Sequence, residues 1–511
     1  MTNAALNGKP YAGNPHVRFE VGEVASAKPR RGSLLYQGRR EFLQGIGSFG
    51  LLAGAGWLKV TGAAQEPGAL LKMGVLSDIH LNRLGDETTF IKALEYFRDH
   101  GAEAVLIAGD FANTGRIFQA KMLADAWFKV FPNDTAPDGR HVERLFIYGN
   151  HCVTAWTWGN PYKDKPELAR TEAIGFENNR ARIWDELFHE EFMPIWMKTV
   201  KGIPVIGAHW EERGPGIAIE DFMKAHGKEI DPKLPFVYTQ HAHPKDTCFG
   251  SWAWGRDDGR ATRALSPFAN AVAFSGHSHY TLTDERTVWQ GAFTSINTAS
   301  LKYASTDYSL RENIGGNGHG FRGENRKHRM GQVGTGDGRQ GMLVSYFDDH
   351  LAIERREFVH GESLGDDWVV PLPAANEAYS YAKRAAQRVT PEFAADAKVE
   401  VKVTLKKDEK DFTHVTLAFP AAEMRNKVRV FEYEVTAILN EDDVDLVQAQ
   451  RRMMSPDYYQ PVSRLVKEVS FTFAAEDLPI KGHYRFEVRP VECFGKKGAA
   501  IVSDEVEIRN V

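Results

Sequence analysis

Apolar runs of strand length alternate with amphipathic stretches of helix length between residues 70 and 148. In chain order these segments are residues 71–76, 88–97, 104–107, 117–131 and 145–148. A half-buried strand repeats its apolar side chains every second residue, whereas an amphipathic helix repeats them every 3.6 residues. The alternation therefore predicts βαβ units, in which helices cover the faces of a largely parallel sheet.

Further apolar runs continue this pattern towards residue 375. Residues 204–206, 236–239 and 271–274 are short, are bounded by polar residues or glycine, and predict more strands. Residues 341–358 alternate around Asp348-Asp349 and predict a β-hairpin that closes the domain. We therefore expect one α/β domain over residues 70–375.

The pattern changes after Pro371-Leu372-Pro373. Residues 376–396 are alanine-rich and charged, which predicts a linker or a short helix. Beyond them come six period-two segments without intervening helices, which are residues 399–405, 414–419, 428–435, 468–473, 484–488 and 505–508. This spacing predicts a small all-β sandwich over residues 397–511. Residues 484–488 and 494–498 resemble the last strands of a fibronectin type III domain.

Charge and cysteine content argue against several kinds of function. The 511 residues carry a formal net charge of −5, and neither terminus has a basic run that would neutralise a nucleic-acid backbone. A nucleic-acid polymer is therefore not favoured as a partner. The three cysteines, Cys152, Cys248 and Cys493, are too few and too scattered for a disulfide framework or a thiolate zinc site.

The first 64 residues resemble an export signal with a long polar leader. Arg39-Arg40 precede a modestly apolar stretch at residues 45–58, and small residues follow at 61–64. This order resembles a twin-arginine signal, which implies export by the twin-arginine machinery of a bacterium to the periplasm or the cell exterior. The apolar stretch is too short and glycine-rich for a permanent membrane helix, so membrane contact is expected only during export. The alternative is a chance arginine pair before a buried helix.

Metal-competent side chains follow five of the predicted strands. They are Asp78 and His80, then Asp110, then Asn150 and His151, then His241, and finally His277 and His279. Asp78 and His80 leave the strand end on the same side, because strand side chains repeat every second residue. In an open α/β sheet, ligands converge at the carboxyl ends of the strands. Each short pattern alone is weak evidence, but five together are difficult to explain by packing.

In this order the blocks resemble the calcineurin-like metallophosphoesterase superfamily. The blocks are Asp78-Ile79-His80, Gly109-Asp110, Gly149-Asn150-His151, His241 and Gly276-His277-Ser278-His279. The resemblance spans residues 70–358 and implies a sandwich of sheets flanked by helices. It also implies a ligand set for two metals, with Asp78, His80 and His279 on one ion, Asn150, His241 and His277 on the other, and Asp110 bridging both.

The implied site suits hydrolysis of a phosphate ester. Carboxylate, amide and imidazole ligands fit Mn, Fe or Zn, so two divalent or mixed-valence ions are expected, of an element that the sequence does not specify. Two such cations, roughly 3.5–4 Å apart, activate water and stabilise an in-line displacement. The resemblance thus implies a phosphomonoesterase or phosphodiesterase. The alternatives are a phosphotriesterase or nuclease on the same site, or a non-catalytic binding protein that kept the fold.

His151 is the expected catalytic residue that does not bind metal. In the family a histidine at this position lies close to the phosphate, where it can protonate the leaving alkoxide. Many relatives have an acidic residue next, whereas this chain has Cys152. Cys152 is interpreted either as a nucleophile or, as for most lone cysteines, as a small buried filler.

Substrate contacts are expected from the loops that follow the metal blocks. His243, two residues after His241, either lines the pocket or hydrogen-bonds a metal-binding side chain without contacting the metal itself. Four tryptophans, joined by His209, form a stacking wall for a sugar or nucleoside in one interpretation and only pack the loops in the other. These are Trp156, Trp158, Trp252 and Trp254. The expected substrate is a phosphorylated small molecule or glycan.

Overall fold

The computed structural model describes most of the chain from residue 68 onward. The described residues are 68–158, 162, 165–211, 214–231, 233–248, 257–304, 338–374, 378–405, 412–456 and 458–508. All of them belong to one compact unit, Thr61–Val511. The export signal predicted for residues 1–64 lies outside the described residues. Within the described ranges, no helix has the length and apolar character needed to cross a membrane.

The described residues form eight α-helices and 23 β-strands. The helices are α1 (Glu87–Asp99), α2 (Ile117–Val130), α3 (Asn150–Val153), α4 (Pro166–Glu172), α5 (Asn179–Phe188), α6 (Ile219–His226), α7 (Arg260–Leu265) and α8 (Tyr381–Gln387). The strands up to residue 371 are β1 (Leu71–Leu76), β2 (Ala104–Ile107), β3 (Glu143–Phe146), β4 (Ile195–Val200), β5 (Ile203–Ala208), β6 (Trp210–Glu211), β7 (Gly214–Pro215), β8 (Phe236–Gln240), β9 (Ala271–Ser275), β10 (Val288–Gln290), β11 (Thr294–Asn297), β12 (Gln340–Tyr346), β13 (His350–Glu357), β14 (Glu362–Ser363) and β15 (Trp368–Pro371). The remaining strands are β16 (Glu400–Leu405), β17 (Phe412–Pro420), β18 (Glu432–Glu441), β19 (Val444–Met454), β20 (Glu468–Ala474), β21 (Gly482–Val491), β22 (Ile501–Val502) and β23 (Val506–Ile508).

Two mixed sheets build the first domain, which confirms the predicted α/β architecture. The first sheet has the strand order β14-β13-β12-β1-β2-β3, with β15 paired to β13. The second has the order β10-β11-β9-β8-β5-β4. Strands β1, β2 and β3 run parallel, as do β5, β8, β9 and β11. Within each sheet, the carboxyl ends of the parallel strands therefore lie at one edge. The segments with the candidate Asp, Asn and His ligands come directly after these strand ends.

The central strand β1 is buried on both faces, so its apolar residues, interrupted by Lys72, do not alternate strictly with polar ones. Met73 and Val75 belong to the core between the two sheets, together with Val237 of β8. Leu76 belongs to a second core, in which Phe97 of α1 also packs. Successive strand side chains point to opposite faces, so one short strand joins both layers and holds the residues after it in a fixed position.

The chain after residue 397 forms the predicted all-β sandwich. One sheet has the order β16-β17-β20, and the other has the order β19-β18-β21-β22, with β23 paired to β21. The strand predicted at residues 428–435 is shifted, because β18 spans Glu432–Glu441. Strand β19 was not predicted. It lies at a sheet edge, and its exposed Val444, Leu446 and Val447 break the period-two pattern that marks a half-buried strand.

The linker and the sandwich both contact the first domain directly. In the linker, Arg384 of α8 donates hydrogen bonds to the backbone oxygens of Glu285, at 2.6 Å, and Val288. From the first domain, Thr283 Oγ1 donates to Tyr458 O at 2.6 Å, and Gln340 Nε2 donates to Tyr459 O at 2.7 Å. The bonds of Thr283 and Gln340 are buried, so the sandwich is docked on the first domain through specific polar contacts.

Candidate metal centre

The two sheets bring the metal-competent blocks to one place. Asp78 and His80 follow β1, Asp110 follows β2, Asn150 begins α3 after β3, His241 follows β8, and His277 and His279 follow β9. Three groups of these side chains place their ligand atoms within 4.8 Å of one another. The groups are Asp78 with His80 and His279, His80 with Asp110 and His151, and Asp110 with His241 and His277. Asp110 belongs to two groups, which is the placement that a bridging ligand requires.

Five of these residues have a left-handed backbone. The value of φ is 50° at Asp78, 48° at His80, 50° at Asp110, 68° at His277 and 56° at His279. This conformation is unfavourable for a residue with a Cβ atom, and it persists only where the surroundings impose it. These turns lie at the strand ends, where the ligand atoms of the side chains converge. Strained backbone of this kind is concentrated at functional sites.

Glycines beside the ligands leave room for their carboxylates. A Cβ atom on Gly149 would lie 2.3 Å from Asp110 Oδ1, and one on Gly276 would lie 2.3 Å from Asp78 Oδ2. Both approaches are far shorter than van der Waals contact. Glycine is therefore required in the Gly149-Asn150 and Gly276-His277 pairs because a carboxylate occupies the space of a side chain.

The first group has the spacing of ligands around one cation. The distance from His279 Nε2 is 3.0 Å to Asp78 Oδ1 and 3.1 Å to His80 Nε2. Donor atoms this close together, all buried, fit side chains that share one cation. Burial would raise the pKa of Asp78, but the neighbouring His279 and His241 outweigh it and lower that pKa. The carboxylate is therefore charged and available to a cation.

The second group is built around Asp110 and His241. His241 Nδ1 donates to Ala108 O at 2.7 Å, which leaves Nε2 as the ligand atom, 2.9 Å from Asp110 Oδ2. Burial lowers the pKa of His241, but Asp110 and Asp78 outweigh it and raise that pKa to about 9. A proton thus satisfies the two facing acceptor atoms in the metal-free protein. A cation would replace that proton, so this pair fits a metal.

Asn150, which the resemblance assigns to the second group, offers an oxygen atom that a metal could satisfy. Its Oδ1 atom is buried and has no hydrogen-bond partner among the described residues. An orphaned buried carbonyl oxygen costs about 1–3 kcal/mol unless a ligand satisfies it. The donor set around Asp110 is therefore an oxygen and nitrogen set that suits Mn, Fe or Zn.

His151 lies against this centre in a fixed tautomer. Its backbone N–H donates to Asp110 Oδ1 at 2.7 Å, and its ring Nδ1 donates to Asn113 O at 2.7 Å. The carbonyl partner requires the proton on Nδ1, so Nε2 is the atom that can exchange a proton with a bound molecule. The ring centroid lies 4.5 Å from that of His80.

Cys152 occupies a position that suits a filler and not a nucleophile. Its side chain is fully buried in the core beneath the site. Burial, together with the nearby Asp110 carboxylate, raises the pKa of the thiol far above its usual range. The thiolate that nucleophilic attack needs is therefore disfavoured.

The two histidines proposed as substrate contacts are both buried away from the open surface. His243 Nε2 lies 3.0 Å from Ser278 Oγ, so this residue supports the loop that carries His277 and His279. His209 Nδ1 accepts from Tyr148 N at 3.0 Å and lies among aromatic rings. Burial lowers the pKa of His209 to about 3. This placement favours packing over substrate contact for His209. For His243 it favours a hydrogen bond that supports the loop with the candidate metal ligands.

The proposed tryptophan wall divides into separate positions. Trp156 packs with Tyr162 and Phe176 in a small satellite cluster. Trp158 is 49% exposed, and its ring centroid lies 4.6 Å from that of His151. Trp252 and Trp254 lie outside the described residues. Within the described part of the chain, only Trp158 of these four combines exposure with proximity to the centre.

Tyr303 is a residue of the site that the sequence analysis missed. Its ring centroid lies 4.4 Å from that of His279 and 6.4 Å from that of His80. Burial, with Asp78 and Asp110 nearby, raises its pKa to about 12, so the phenol stays neutral and can donate a hydrogen bond. Ser300 Oγ, which donates to Asp78 O at 3.0 Å, ties its loop to the first block. The sequence signal that could have identified Tyr303 was the polar loop after β11, but β11 itself was not predicted.

The order of strands and ligands has a counterpart among known families. Residues 71–281 match the family model described as Calcineurin-like phosphoesterase. No curated protein matches the chain. Among solved structures, the chain is similar to a dimetal phosphatase from Danio rerio, at 10% identity and a TM-score of 0.34, over 59% of this chain and 99% of that chain.

Two further solved structures are also similar to part of the chain. One is a predicted phosphoesterase from Streptococcus pneumoniae, at 11% identity and a TM-score of 0.25, over 59% of this chain and 97% of that chain. The other is an archaeal phosphodiesterase, at 13% identity and a TM-score of 0.22, over 46% of this chain and 90% of that chain. These structural similarities are weak, so the assignment rests on the family model. Residues 71–281 are thus similar to the calcineurin-like phosphoesterases.

Proposed function

We propose that this protein hydrolyses a phosphomonoester or phosphodiester at a dinuclear metal centre. The observation that carries the proposal is the position of Asp110, which lies in one group with His241 and His277 and in another with His80, itself grouped with Asp78 and His279. The proposed ligands of one ion are Asp78, His80 and His279, those of the other are Asn150, His241 and His277, and Asp110 bridges them. The two cations, when bound, would neutralise the phosphate oxygens and lower the pKa of the attacking water.

The chain's own residues would orient the ions and handle one proton. Asp110 sets the spacing of the two groups, and Ala108 O holds the His241 ring with Nε2 facing the centre. As water adds to phosphorus and the ester P–O bond breaks, the leaving oxygen needs a proton. His151 supplies it from Nε2, because Nδ1 is held by Asn113 O, and solvent then reprotonates the ring. Tyr303 is placed to donate a hydrogen bond to a phosphate oxygen beside His279.

A substrate panel with controlled metal content tests this proposal. The protein would be stripped of metal, restored with Mn, Fe or Zn singly, and assayed on chromogenic phosphate mono-, di- and triesters. Restored turnover of a mono- or diester with about two bound metals per chain, by elemental analysis, supports it. Turnover of triesters alone, or of nucleic acid alone, would favour the alternative enzymes. Metal binding without turnover of any ester would favour a binding protein.

Two features outside the centre complete the proposal. We infer that the sandwich is fibronectin type III-like, because three strands face a sheet ordered β19-β18-β21-β22. Tyr484, near the start of β21, donates from its hydroxyl to Ile480 O at 2.5 Å, which resembles the tyrosine corner of such sandwiches. The Arg39-Arg40 segment supports export by the twin-arginine route to the periplasm or cell exterior, where the substrate would be a phosphorylated small molecule or glycan.

A further inference from the structure

We infer that Trp158 forms the leaving-group subsite and that the substrate's leaving group carries a flat ring. This inference rests on the proposed function, since it assigns the part of the ester that His151 protonates. It divides the two tryptophans of one loop into a packing residue, Trp156, and a substrate-binding residue, Trp158.

The position of the acid fixes the position of the leaving group. A general acid acts within hydrogen-bond distance of the oxygen that it protonates. The carbon skeleton of the leaving group therefore begins one covalent bond beyond an oxygen that lies within hydrogen-bond distance of His151 Nε2. The centroids of the Trp158 and His151 rings are 4.6 Å apart, and the rings are nearly perpendicular at 83°. A leaving group that extends from His151 towards Trp158 would lie beside the indole.

The backbone of Trp158 is held in place although its side chain is not buried. The chain from Asn150 to Trp158 is a helical turn followed by a tighter one, with Thr154 Oγ1 donating to Asn150 O at 2.7 Å. Trp158 N then donates to Ala155 O at 3.0 Å. These local bonds fix the backbone of Trp158 relative to His151, so little ordering is needed when a ligand binds.

Trp158 does not pack against the loop as Trp156 does. Trp156, two residues earlier, packs the loop against Tyr162 and Phe176. Trp158 remains 49% exposed, and its ring lies beside His151 at the polar centre. An exposed indole favours ring-bearing ligands, because flat rings stack on aromatic side chains. A small alkyl group has no comparable face.

The test compares Trp158→Ala with wild type on matched phosphate esters after metal restoration. The panel contains an aryl phosphate, a nucleoside monophosphate, a sugar phosphate and glycerol phosphate, with kcat/KM expressed as the ratio of variant to wild type. Taking the ratio for each ester cancels its intrinsic reactivity. We expect kcat/KM to fall about tenfold or more for ring-bearing esters, the equivalent of the stacking contribution, and less than about threefold for glycerol phosphate.

Two further variants separate recognition from stability. Trp158→Phe keeps a smaller aromatic face and should restore part of the lost kcat/KM on ring-bearing esters. Trp156→Phe changes the packing residue of the same loop, and it should lower the melting temperature while affecting all esters alike. Loss on the aryl and nucleoside esters would support a flat ring, whereas loss on the sugar phosphate alone would overturn it.

Two further results would overturn the inference, and they are distinguishable. Equal losses on glycerol phosphate and ring-bearing esters in Trp158→Ala, with wild type active, would reject the leaving-group subsite and keep the hydrolase. A metal-restored wild type that hydrolyses none of the esters would reject the proposed function itself and this inference with it.

Discussion

Replacement of Gln340 by methionine should weaken metal binding at a distance. Gln340 is fully buried, and its Oε1 accepts from Leu282 N at 2.7 Å and from Thr281 Oγ1 at 3.0 Å. Its Nε2 donates to Tyr459 O at 2.7 Å. One side chain therefore joins the sandwich to the loop that begins two residues after the candidate ligand His279. Methionine has nearly the same shape but cannot replace these hydrogen bonds.

The magnitude follows from the bonds that are lost. Gln340→Met removes bonds to two buried backbone groups, Leu282 N–H and Tyr459 O, and each such loss costs about 1–3 kcal/mol. The free energy of unfolding should fall by about 2–6 kcal/mol, and the melting temperature by on the order of 5–10 °C. Because the loop after His279 loses an anchor, the affinity for the metal held by that residue should also fall.

A matched control exists in the same domain. Gln290 is 2% exposed, and its Nε2 donates to Thr294 Oγ1 at 3.1 Å and Pro371 O at 2.8 Å. Its Oε1 accepts from Tyr379 N at 3.0 Å, far along the chain from the ligand loop. Gln290→Met should lower the melting temperature to a similar extent but leave metal affinity unchanged. Thermal melting and chelator-competition titration with Zn or Mn measure both effects. Equal metal affinities in the two variants would refute the coupling.

Four further changes test the centre and the export signal. Asp110→Asn should reduce bound metal below two equivalents and abolish turnover, and elemental analysis with a phosphatase assay would expose two metals and full activity as a contradiction. His151→Ala should slow hydrolysis by on the order of 10²–10⁴ with metal content unchanged, whereas loss of both metals would make His151 a ligand. Tyr303→Phe should weaken inhibition by inorganic phosphate about tenfold, since a hydrogen bond to a charged group contributes about 1.5–3 kcal/mol, and an unchanged inhibition constant would remove Tyr303 from substrate binding. Replacing Arg39 and Arg40 together by lysine should hold the precursor in the cytoplasm on cell fractionation, and unchanged export would indicate another route.

Much of the fold could be predicted because it depends on local periodicity. Strands β1 and β2 begin and end where their apolar runs do, at Leu71–Leu76 and Ala104–Ile107. Each is buried on both faces, so burial leaves a continuous signal in the sequence. Strand β19 has no such signal, because an edge strand with one neighbour has few positions that must be apolar. Sheet edges are therefore the part of the fold that periodicity identifies least well.

The sequence by itself determined which side chains can hold metal, because Asp, Asn and His after successive strands can be read without coordinates. Only the tertiary structure decided which aromatic and histidine side chains reach them. Trp156 and Trp158 are alike in the sequence, yet one packs inward and the other lies exposed beside His151. His209 is turned into an aromatic core, while Tyr303 is brought to the centre from more than two hundred residues beyond Asp78. Contacts of this kind join distant segments of chain, and no local pattern of polarity records them.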